Sequence, residues 1–450
     1  MAVKVTYDEN RKMILEGLEC DCPCTHSIPD QDIYVGRGLL ERLPGYINSR
    51  GLGRHCVVVC DENAYRVAGE KVHGVLTKAG FDAILLKFER SGELIPDETT
   101  IGELLLTIQP ETEFLVAVGS GSITDTCRVN AARCKIPFVS VGTAASMDGY
   151  TSVVAPLMLH GVKIHRTGPC PEIIVCDLDV LATAPMSMVR SGVGDVLGKY
   201  IAIADWEIGN IINDEPYCHT CGEIVLDAVG RLMENIDEIR NRTEKGMQVL
   251  IEGLLLAGIT IMIVGHTRAV ASVEHNIAHF VEMKMLERYH RAPSHGDTVG
   301  VGTLMVYPMF KRFANEDISK IDAEAREPLD PDVRREWMLR SYGLVAGSTI
   351  MEENPGDFLT KEELIRRVKR AQERFGDIKR VIEAMPSYDD IFDAMKRLGA
   401  PVTMDELGVD MDIVNMSVHC AKDYRTRYTL FKTLDELGII DDYIKDYPID

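Results

Sequence analysis

Short apolar runs alternate with segments of helical periodicity along the first part of the chain, up to about residue 185. Continuous apolar runs of this length are typical of strands that a parallel sheet buries on both faces. The predicted strands cover residues 56–60, 83–87, 114–118, 138–141 and 173–176, and the predicted helices cover residues 64–79, 99–108 and 123–133. Their strict alternation predicts a Rossmann-like, doubly wound α/β domain with a mainly parallel sheet.

The pattern changes near Pro185, after which long helical segments succeed one another without strand-like alternation. The predicted helices cover residues 191–205, 223–236, 245–264 and 273–286, and no strand-like alternation appears within 361–398 or 426–437. A chain of 450 residues is also too long for one ordinary hydrophobic core. We therefore expect an α/β domain at residues 1–185 and an all-helical domain at residues 186–450.

The excess of acidic residues bears on the kinds of molecule that the protein binds. The chain carries a formal net charge of −21, which disfavours a nucleic acid or an anionic membrane surface as its partner. The longest apolar stretch, residues 249–264, includes Glu252 and two glycines, and this composition favours a buried helix over a membrane span. The oligomeric state stays open at this point, a homo-oligomer included.

Twelve cysteines and an amino-terminal segment without a long apolar core favour a cytoplasmic protein with reduced thiols. Cys20, Cys22 and Cys24 alternate in one segment, and Cys218 and Cys221 form a Cys-x-x-Cys pair. A structural zinc site would need a matching second pair at metal-ligand spacing, and none is evident. We interpret these residues as thiols, and the role of the first group stays open.

A glycine-rich turn, Gly119-Ser-Gly-Ser122, follows the third predicted strand and precedes a helix. Glycine lets a phosphate approach the backbone closely, and the amide groups that open a helix carry partial positive charge. The turn keeps only part of the usual dinucleotide-binding pattern and does not follow the first strand. A cofactor phosphate site and a plain strand-to-helix turn are both consistent with it.

Polar residues also follow the fourth predicted strand, where ligands bind in open α/β sheets. Thr143, Ser146 and Ser152 offer hydroxyl groups to a cofactor, and Asp148 offers an acceptor to a substrate hydroxyl. A turn that caps the next element is the competing interpretation.

The helical part contains the clearest pattern for a metal. Glu274-His-Asn-Ile-Ala-His279 places two imidazoles four residues apart on one helix face. His295 follows after a loop, and Gly192-Val-Gly-Asp195 precedes both. One carboxylate with two or three imidazoles suits a divalent transition metal, whereas an isolated pair of histidines is more often structural.

These motifs occur in the order seen in the glycerol-1-phosphate dehydrogenases, which the chain therefore resembles. That family belongs to the iron-containing alcohol dehydrogenase and dehydroquinate synthase superfamily. The motifs that carry the resemblance are Gly119-Ser-Gly-Ser-Ile-Thr-Asp125, Thr143-Ala-Ala-Ser-Met-Asp-Gly-Tyr150, Gly192-Val-Gly-Asp195, Glu274-His-x-x-x-His279 and His295-Gly296. The match extends over about residues 30–310. It implies a nicotinamide-cofactor domain followed by a metal- and substrate-binding domain.

The resemblance assigns a role to each matching residue. Asp195, His275 and His295 are the implied metal ligands, and Asp195 also faces the substrate. Asp148 and His279 are implied substrate contacts with catalytic roles, and His279 is placed to relay a proton. The implied cofactor contacts are Gly119, Ser120, Gly121, Ser122, Ile123, Thr124, Asp125, Thr143, Ser146 and Ser152. Arg128 is a departure, because the superfamily often has lysine there.

The implied reaction is a metal-assisted, reversible reduction of dihydroxyacetone phosphate to glycerol 1-phosphate. It uses NAD(H) or NADP(H) and one divalent metal, and zinc, nickel and iron all suit the ligands. Three alternatives stay open: a glycerol dehydrogenase of unphosphorylated polyols, a cyclase or lyase like dehydroquinate synthase, and a non-catalytic binding protein on the same fold.

Two further residues bear on specificity. Asp61 follows the first strand, where a carboxylate would accept hydrogen bonds from the adenosine ribose and favour NADH, or would cap the next helix. Arg268 lies seven residues before His275, about two turns away on a continuous helix, and an arginine stands at this offset in the resembled family. We expect Arg268 to receive the substrate phosphate. Arg291 and Lys163 are weaker candidates.

Overall fold

A computed structural model describes residues 3–17, 20, 22, 26, 30–90, 92, 94–159, 162–354 and 358–449, which form two compact units. The first unit contains Met1–Cys20, Thr25–Val196 and Glu223–Gly265, and the second contains Asp21–Cys24, Leu197–Gly222 and His266–Asp450. Each unit is formed by three separate segments of the chain, so no single boundary divides the two units. The domain boundary near residue 185 stays a prediction.

The first unit is built on a parallel sheet. In chain order, the strands of the described residues are β1 (Lys4–Tyr7), β2 (Met13–Glu16), β3 (Asp32–Gly36), β4 (His55–Asp61), β5 (Asp82–Phe88), β6 (Phe114–Gly119), β7 (Phe138–Gly142), β8 (Val154–Leu159), β9 (Val162–Thr167) and β10 (Ile173–Asp177). Six of them form a parallel sheet in the order β3-β10-β7-β6-β4-β5, which confirms the α/β prediction.

The strand order of this sheet reverses between β4 and β6. After β4, the chain adds β5 on one side and then β6 on the other side. Open α/β sheets bind ligands beyond the carboxyl ends of the strands at such a reversal. Asp61 ends β4 and Gly119 ends β6, so two of the predicted cofactor positions lie at this point of the sheet.

Two antiparallel hairpins, β1–β2 and β8–β9, are absent from the sequence predictions. Their strands have four to six residues and are only partly buried. Each of these strands pairs with a strand adjacent to it in the sequence. None has the continuous apolar run that identifies the strands of the central sheet.

Helices make up most of the described residues outside the strands. The α-helices of the described residues are α1 (Leu43–Arg50), α2 (Glu62–Ala64), α3 (Glu70–Lys78), α4 (Glu98–Thr107), α5 (Gly121–Cys134), α6 (Leu178–Leu181), α7 (Met186–Leu197), α8 (Lys199–Asn213), α9 (His219–Glu234), α10 (Ile236–Arg240), α11 (Glu244–Val264), α12 (Val273–Tyr289), α13 (His295–Phe313), α14 (Pro331–Tyr342), α15 (Leu344–Glu353), α16 (Lys361–Glu373), α17 (Phe375–Ala384), α18 (Tyr388–Leu398), α19 (Met411–Cys420), α20 (Leu430–Leu437) and α21 (Ile440–Ile444). Within the described ranges no strand follows β10, as the sequence predicts, and α8 and α12 to α21 lie in the second unit.

Helix α11 is long and apolar enough to cross a membrane by length and composition, but 78% of its most apolar window is buried inside the protein. Its one central carboxylate, Glu252, is satisfied within the first unit. Glu252 accepts hydrogen bonds from Tyr7 Oη at 2.5 Å, Gln248 Nε2 at 2.7 Å and Arg231 Nη1 at 3.2 Å. The helix therefore has a polar anchor among its apolar contacts.

A buried carboxylate joins three elements of the second unit. Asp205 on α8 is fully buried, and it accepts hydrogen bonds from Ser272 Oγ at 2.5 Å and from the backbone N of Leu430 at 2.6 Å. Ser272 precedes α12 and Leu430 begins α20. Burial raises the pKa of Asp205 to about 7, although these hydrogen bonds and Arg268 oppose the shift.

We expect Asp205→Asn to become relatively more stabilising as pH rises from 5 to 8. A raised carboxyl pKa means that the folded state binds more protons than the unfolded state between about pH 4 and 7, so Asp205 costs stability as pH rises through this window. The free-energy difference between wild type and variant, measured by urea denaturation, should change by up to about 2–3 kcal/mol. A difference that does not vary with pH would contradict the assignment.

Candidate active site

The glycine turn leads from β6 directly into α5. Gly119 is required by packing, since a Cβ at this position would lie 2.6 Å from the side chain of Ile123. No side chain caps the first turn of α5, so its backbone amides keep the partial positive charge that attracts a phosphate. Ser120, Gly121 and Ser122 are partly exposed, whereas the next three residues of the predicted cofactor set, Ile123, Thr124 and Asp125, are buried.

Arg128 connects α5 to the segment that contains Asp148. Its buried guanidinium pairs with the carboxylate of Asp125, and it donates hydrogen bonds to the backbone O of Gly149 at 2.7 Å and of Val154 at 3.2 Å. Burial raises the pKa of Asp125 and lowers the pKa of Arg128. Several donors in one plane allow these contacts at once, which the single ammonium group of lysine would not reproduce.

Segment 143–152 is clamped by two helices of the first unit. A Cβ on Gly192 of α7 would lie 2.0 Å from the backbone O of Ala145. A Cβ on Gly258 of α11 would lie 2.5 Å from the backbone O of Asp148. The backbone N of Thr143 donates to Gly119 O at 3.0 Å. The absence of side chains at these glycines therefore sets the position of the segment.

This packing brings Asp148 and Asp195 together. The backbone N of Asp148 donates to Oδ2 of Asp195 at 3.1 Å, and Ser191 Oγ on the same helix donates to the backbone O of Ser146 at 3.2 Å. Asp195 is fully buried, whereas Asp148 is partly exposed. Asp148 thus stays partly accessible, and its backbone amide fixes the carboxylate of Asp195.

Two other predicted cofactor residues form local caps. Asp61 Oδ1 accepts a hydrogen bond from the backbone N of Ala64 at 2.7 Å, so Asp61 caps α2. The Oγ of buried Ser152 accepts from the backbone N of Val154 at 2.9 Å. The capping interpretation of Asp61 is confirmed, and the cofactor roles of both residues stay predictions.

Three imidazoles meet in the second unit. His275 and His279 lie on α12, and His295 begins α13. The ring centroid of His275 is 5.4 Å from that of His295 and 6.2 Å from that of His279, and the rings of His279 and His295 are stacked at 5.2 Å. The close approach of the helices depends on Gly302, where a Cβ would lie 2.9 Å from the backbone O of Glu274. The sequence prediction of one imidazole group within the helical part agrees with this arrangement.

Two of these imidazoles are oriented by carboxylates. His275 Nδ1 lies 2.6 Å from Glu274 Oε1, and His295 Nδ1 lies 2.6 Å from Glu282 Oε1. A carboxylate on Nδ1 fixes the ring tautomer and directs Nε2 toward a metal, a common arrangement around metal-binding histidines. The donor set of the second unit therefore fits a divalent metal.

The same unit offers a second combination of ligands. One ligand atom each of His279, Glu282 and His295 lies within 4.8 Å of the other two. His279 Nδ1 is 3.8 Å from Glu282 Oε2, so this carboxylate lies between the two histidines. Geometry within the second unit thus allows His279 to act as a proton donor or as a ligand.

Glu282 is absent from the residues predicted from the sequence, and Glu274 has no predicted role. Glu282 lies three residues after His279 on the same helix face, and this spacing is a signal that could have identified it. Tyr424, whose ring centroid lies 5.6 Å from that of His279, is also absent from the sequence predictions. No spacing signal could have found Tyr424, because it is 145 residues further along the chain and reaches α12 only through the tertiary fold.

Arg268 occupies a different setting from the one expected. The helix α12 begins at Val273, and Arg268 lies in a separate 3-10 turn, Thr267–Ala269, so the continuous helix assumed between Arg268 and His275 is wrong. Arg268 is buried and pairs through Nε and Nη2 with the carboxylate of Glu215, at 2.5 and 2.6 Å. These contacts favour a structural role, and phosphate binding by Arg268 stays a prediction.

The cysteines near the amino terminus are only partly described. Cys24 lies outside the described residues, and none of the described cysteines forms a disulfide. The interpretation of these residues as thiols that bind no metal stays a prediction.

A family model for iron-containing alcohol dehydrogenases matches residues 34–185. A glycerol-1-phosphate dehydrogenase (NAD(P)+) of Halalkalibacterium halodurans is 30% identical over 421 residues, which cover 93% of this chain and 96% of that protein. The Bacillus subtilis protein of the same name is 29% identical over 92% of this chain and 93% of its own length. An Aeropyrum pernix protein of that name is 30% identical over 61% of this chain and 76% of its own length.

Solved structures show the same fold at low identity. Glycerol dehydrogenase from Schizosaccharomyces pombe superposes with a TM-score of 0.61 at 16% identity, covering 95% of this chain and 92% of that chain. Maleylacetate reductase from a Rhizobium species superposes with a TM-score of 0.60 at 15% identity, covering 94% of this chain and 98% of that chain. These likenesses establish the fold and leave the substrate to other arguments.

Proposed function

We propose, since the chain belongs to the glycerol-1-phosphate dehydrogenase family, that it catalyses the NAD(P)-dependent, reversible reduction of dihydroxyacetone phosphate to sn-glycerol 1-phosphate. The observation that carries this proposal is a similarity that runs through 93% of this chain and 96% of the Halalkalibacterium relative. Such coverage includes both units, so it extends to the cofactor turn and to the imidazole group. The enzyme is therefore an oxidoreductase with a small-molecule substrate.

The residues proposed to hold one divalent metal are Asp195, His275 and His295. Each is fixed before any metal arrives: Asp195 by the backbone N of Asp148, and the two imidazoles by Glu274 and Glu282. Fixed ligands lose little conformational freedom on binding, which favours affinity. Zinc, nickel and iron are all compatible with two nitrogen donors and one carboxylate.

The chain's own side chains have distinct tasks in the proposed reaction. When bound, the reduced nicotinamide would supply the hydride and the metal the positive charge that polarises the ketone oxygen. His279 would donate the proton that the oxygen at C2 gains as the hydride reaches C2. Asp148, partly exposed beside Asp195, would accept a hydrogen bond from the substrate's hydroxyl group and orient it. In the reverse direction His279 would accept the same proton.

The proposed cofactor site is the α5 turn together with segment 143–152. Its partly exposed members, Ser120, Gly121 and Ser122, would face the cofactor's pyrophosphate, because phosphates bind at the amino ends of helices. Ile123, Thr124 and Asp125 would support the turn from inside the unit. A preference for NADH, through Asp61, is part of the proposal, and so is a cytoplasmic location.

We expect purified enzyme to oxidise NADH with dihydroxyacetone phosphate at a kcat/KM about a hundredfold or more above that with dihydroxyacetone. A site built for a phosphate leaves its polar groups unpaired when the phosphate is missing, and the transition state is then bound less well. The measurement is steady-state loss of NADH absorbance with each substrate.

Other outcomes of this assay identify the alternatives. Equal or better activity on dihydroxyacetone would indicate a glycerol dehydrogenase. Bound metal without NADH oxidation on either substrate would contradict a dehydrogenase and favour a cyclase-like or non-catalytic protein.

A further inference from the structure

Residues 421–428 link α19 to α20 and lie against the beginning of α12, within the second unit. Ala421 O accepts a hydrogen bond from Asn276 Nδ2 at 2.7 Å. The ring of Tyr424 lies 5.6 Å from that of His279, between centroids, and Arg427 Nη1 donates to the backbone O of Ala271. The segment therefore contacts the chain on both sides of His275.

Arg427 has no carboxylate partner in the part of the chain that the structure describes. Its guanidinium donates to Ala271 O and to Thr267 Oγ1, the latter at 2.8 Å, and no described carboxylate oxygen lies within 4.0 Å of it. By contrast, Arg268 has Glu215 and Arg334 has Asp423, at 2.5 and 3.3 Å. Arg427 is thus a partly buried cation held by neutral oxygens alone.

The surroundings of Arg427 disfavour an uncompensated charge. Burial is the largest cause that lowers its pKa, to about 9, and the neighbouring Arg425 and Arg268 lower it further. The carboxylate of Glu274 acts on this pKa in the opposite direction, but the net shift stays downward. A partly desolvated cation beside other cations costs free energy unless an anion joins it. The chain has a net charge of −21 and therefore many carboxylates, yet none of the described ones pairs with Arg427. We therefore expect the anion that neutralises Arg427 to come from outside the chain.

We propose that Arg427 binds the phosphate of the substrate and thereby makes the enzyme specific for a phosphorylated ketone. This inference rests on the proposed function, in which the substrate is a phosphate monoester. A guanidinium with donors in a fixed plane suits a phosphate dianion. Arg427 is better placed for this task than Arg268, whose charge Glu215 already neutralises.

A phosphate monoester could also come from the 2′-phosphate of NADPH. The contacts of residues 421–428 with His279 and with the chain beside His275 favour the substrate, because these histidines belong to the proposed reaction centre. The two sources predict different kinetics, so both cofactors are included in the test.

The test compares wild type with Arg427→Ala and Arg427→Lys, using the full-length, metal-loaded enzyme. We expect Arg427→Ala to raise KM for dihydroxyacetone phosphate about ten- to a hundredfold and to change kcat/KM for dihydroxyacetone by less than about threefold. Lysine should restore part of the loss because it keeps the charge. Added guanidinium ion should partly rescue the alanine variant on the phosphorylated substrate alone.

Arg288→Gln is the matched control, since Arg288 lies at the far end of α12 and pairs with exposed Asp410 and Asp412. It should leave both KM values unchanged. Metal content and thermal melting of each variant show whether it is folded. If Arg427→Ala does not fold, the KM of Arg427→Lys for the two substrates decides the question.

The outcomes separate the inference from the function on which it rests. Equal loss on both substrates, without rescue by guanidinium, would overturn the role of Arg427 while leaving the proposed function intact. A raised KM for NADPH alone would assign Arg427 to the cofactor and would also overturn the inference. A wild-type enzyme without preference for dihydroxyacetone phosphate would instead contradict the proposed function.

Discussion

Purified His275→Ala enzyme is expected to contain almost no divalent metal and to lose essentially all activity. His275 is buried, and its Nδ1 is held 2.6 Å from Glu274 Oε1, so its Nε2 is held in place as a ligand, and alanine leaves that ligand position empty. Removing one of three protein ligands leaves an under-coordinated ion, and both affinity and catalysis depend on that ion. Elemental analysis of the purified variant, together with NADH oxidation, checks this expectation.

Glu282→Gln tests the same metal site through a residue that contacts a proposed ligand, His295. Because Glu282 orients His295, its amide variant should keep the metal but bind it about 10–100-fold more weakly in a chelator competition. His55→Ala is a suitable control, since His55 is half exposed in the first unit and its ring pairs with exposed Asp82. His275→Ala with full stoichiometric metal would show that the ligand assignment is wrong.

His279→Ala should behave differently, keeping the metal while losing about two to four orders of magnitude in kcat. This range is the usual effect of removing a general acid or base. The matched readout is again metal content, measured beside kcat with dihydroxyacetone phosphate. His279→Gln should not restore kcat, because an amide does not transfer protons.

Metal content decides between the two proposed ligand combinations. Loss of the metal in His279→Ala, with retention in His275→Ala, would favour the group of His279, Glu282 and His295. Retention of both metal and full kcat in His279→Ala would leave the proton transfer to another residue.

The sequence predicted the parallel sheet and the helical character of the chain beyond it, because both depend on local apolar periodicity. Helix α11 shows how well this works: the predicted range 245–264 agrees with Glu244–Val264. The hairpins β1–β2 and β8–β9 were missed, since short, partly buried strands carry little periodic signal. The prediction for Arg268 failed in its geometry because helix continuity across residues 270–272 was assumed.

By itself, then, the sequence determined the chemistry available to this protein: a glycine turn after a buried strand, hydroxyls and Asp148 after the next one, and two histidines one helical turn apart. These features depend on residue type and on spacing within one element. Only the tertiary structure decided that Glu274 and Glu282 orient the imidazoles, that Arg268 is neutralised by Glu215, and that Arg427 reaches the beginning of α12. Contacts between elements depend on how closely the elements pack and on which charged groups are buried next to each other. Local periodicity contains no information on either.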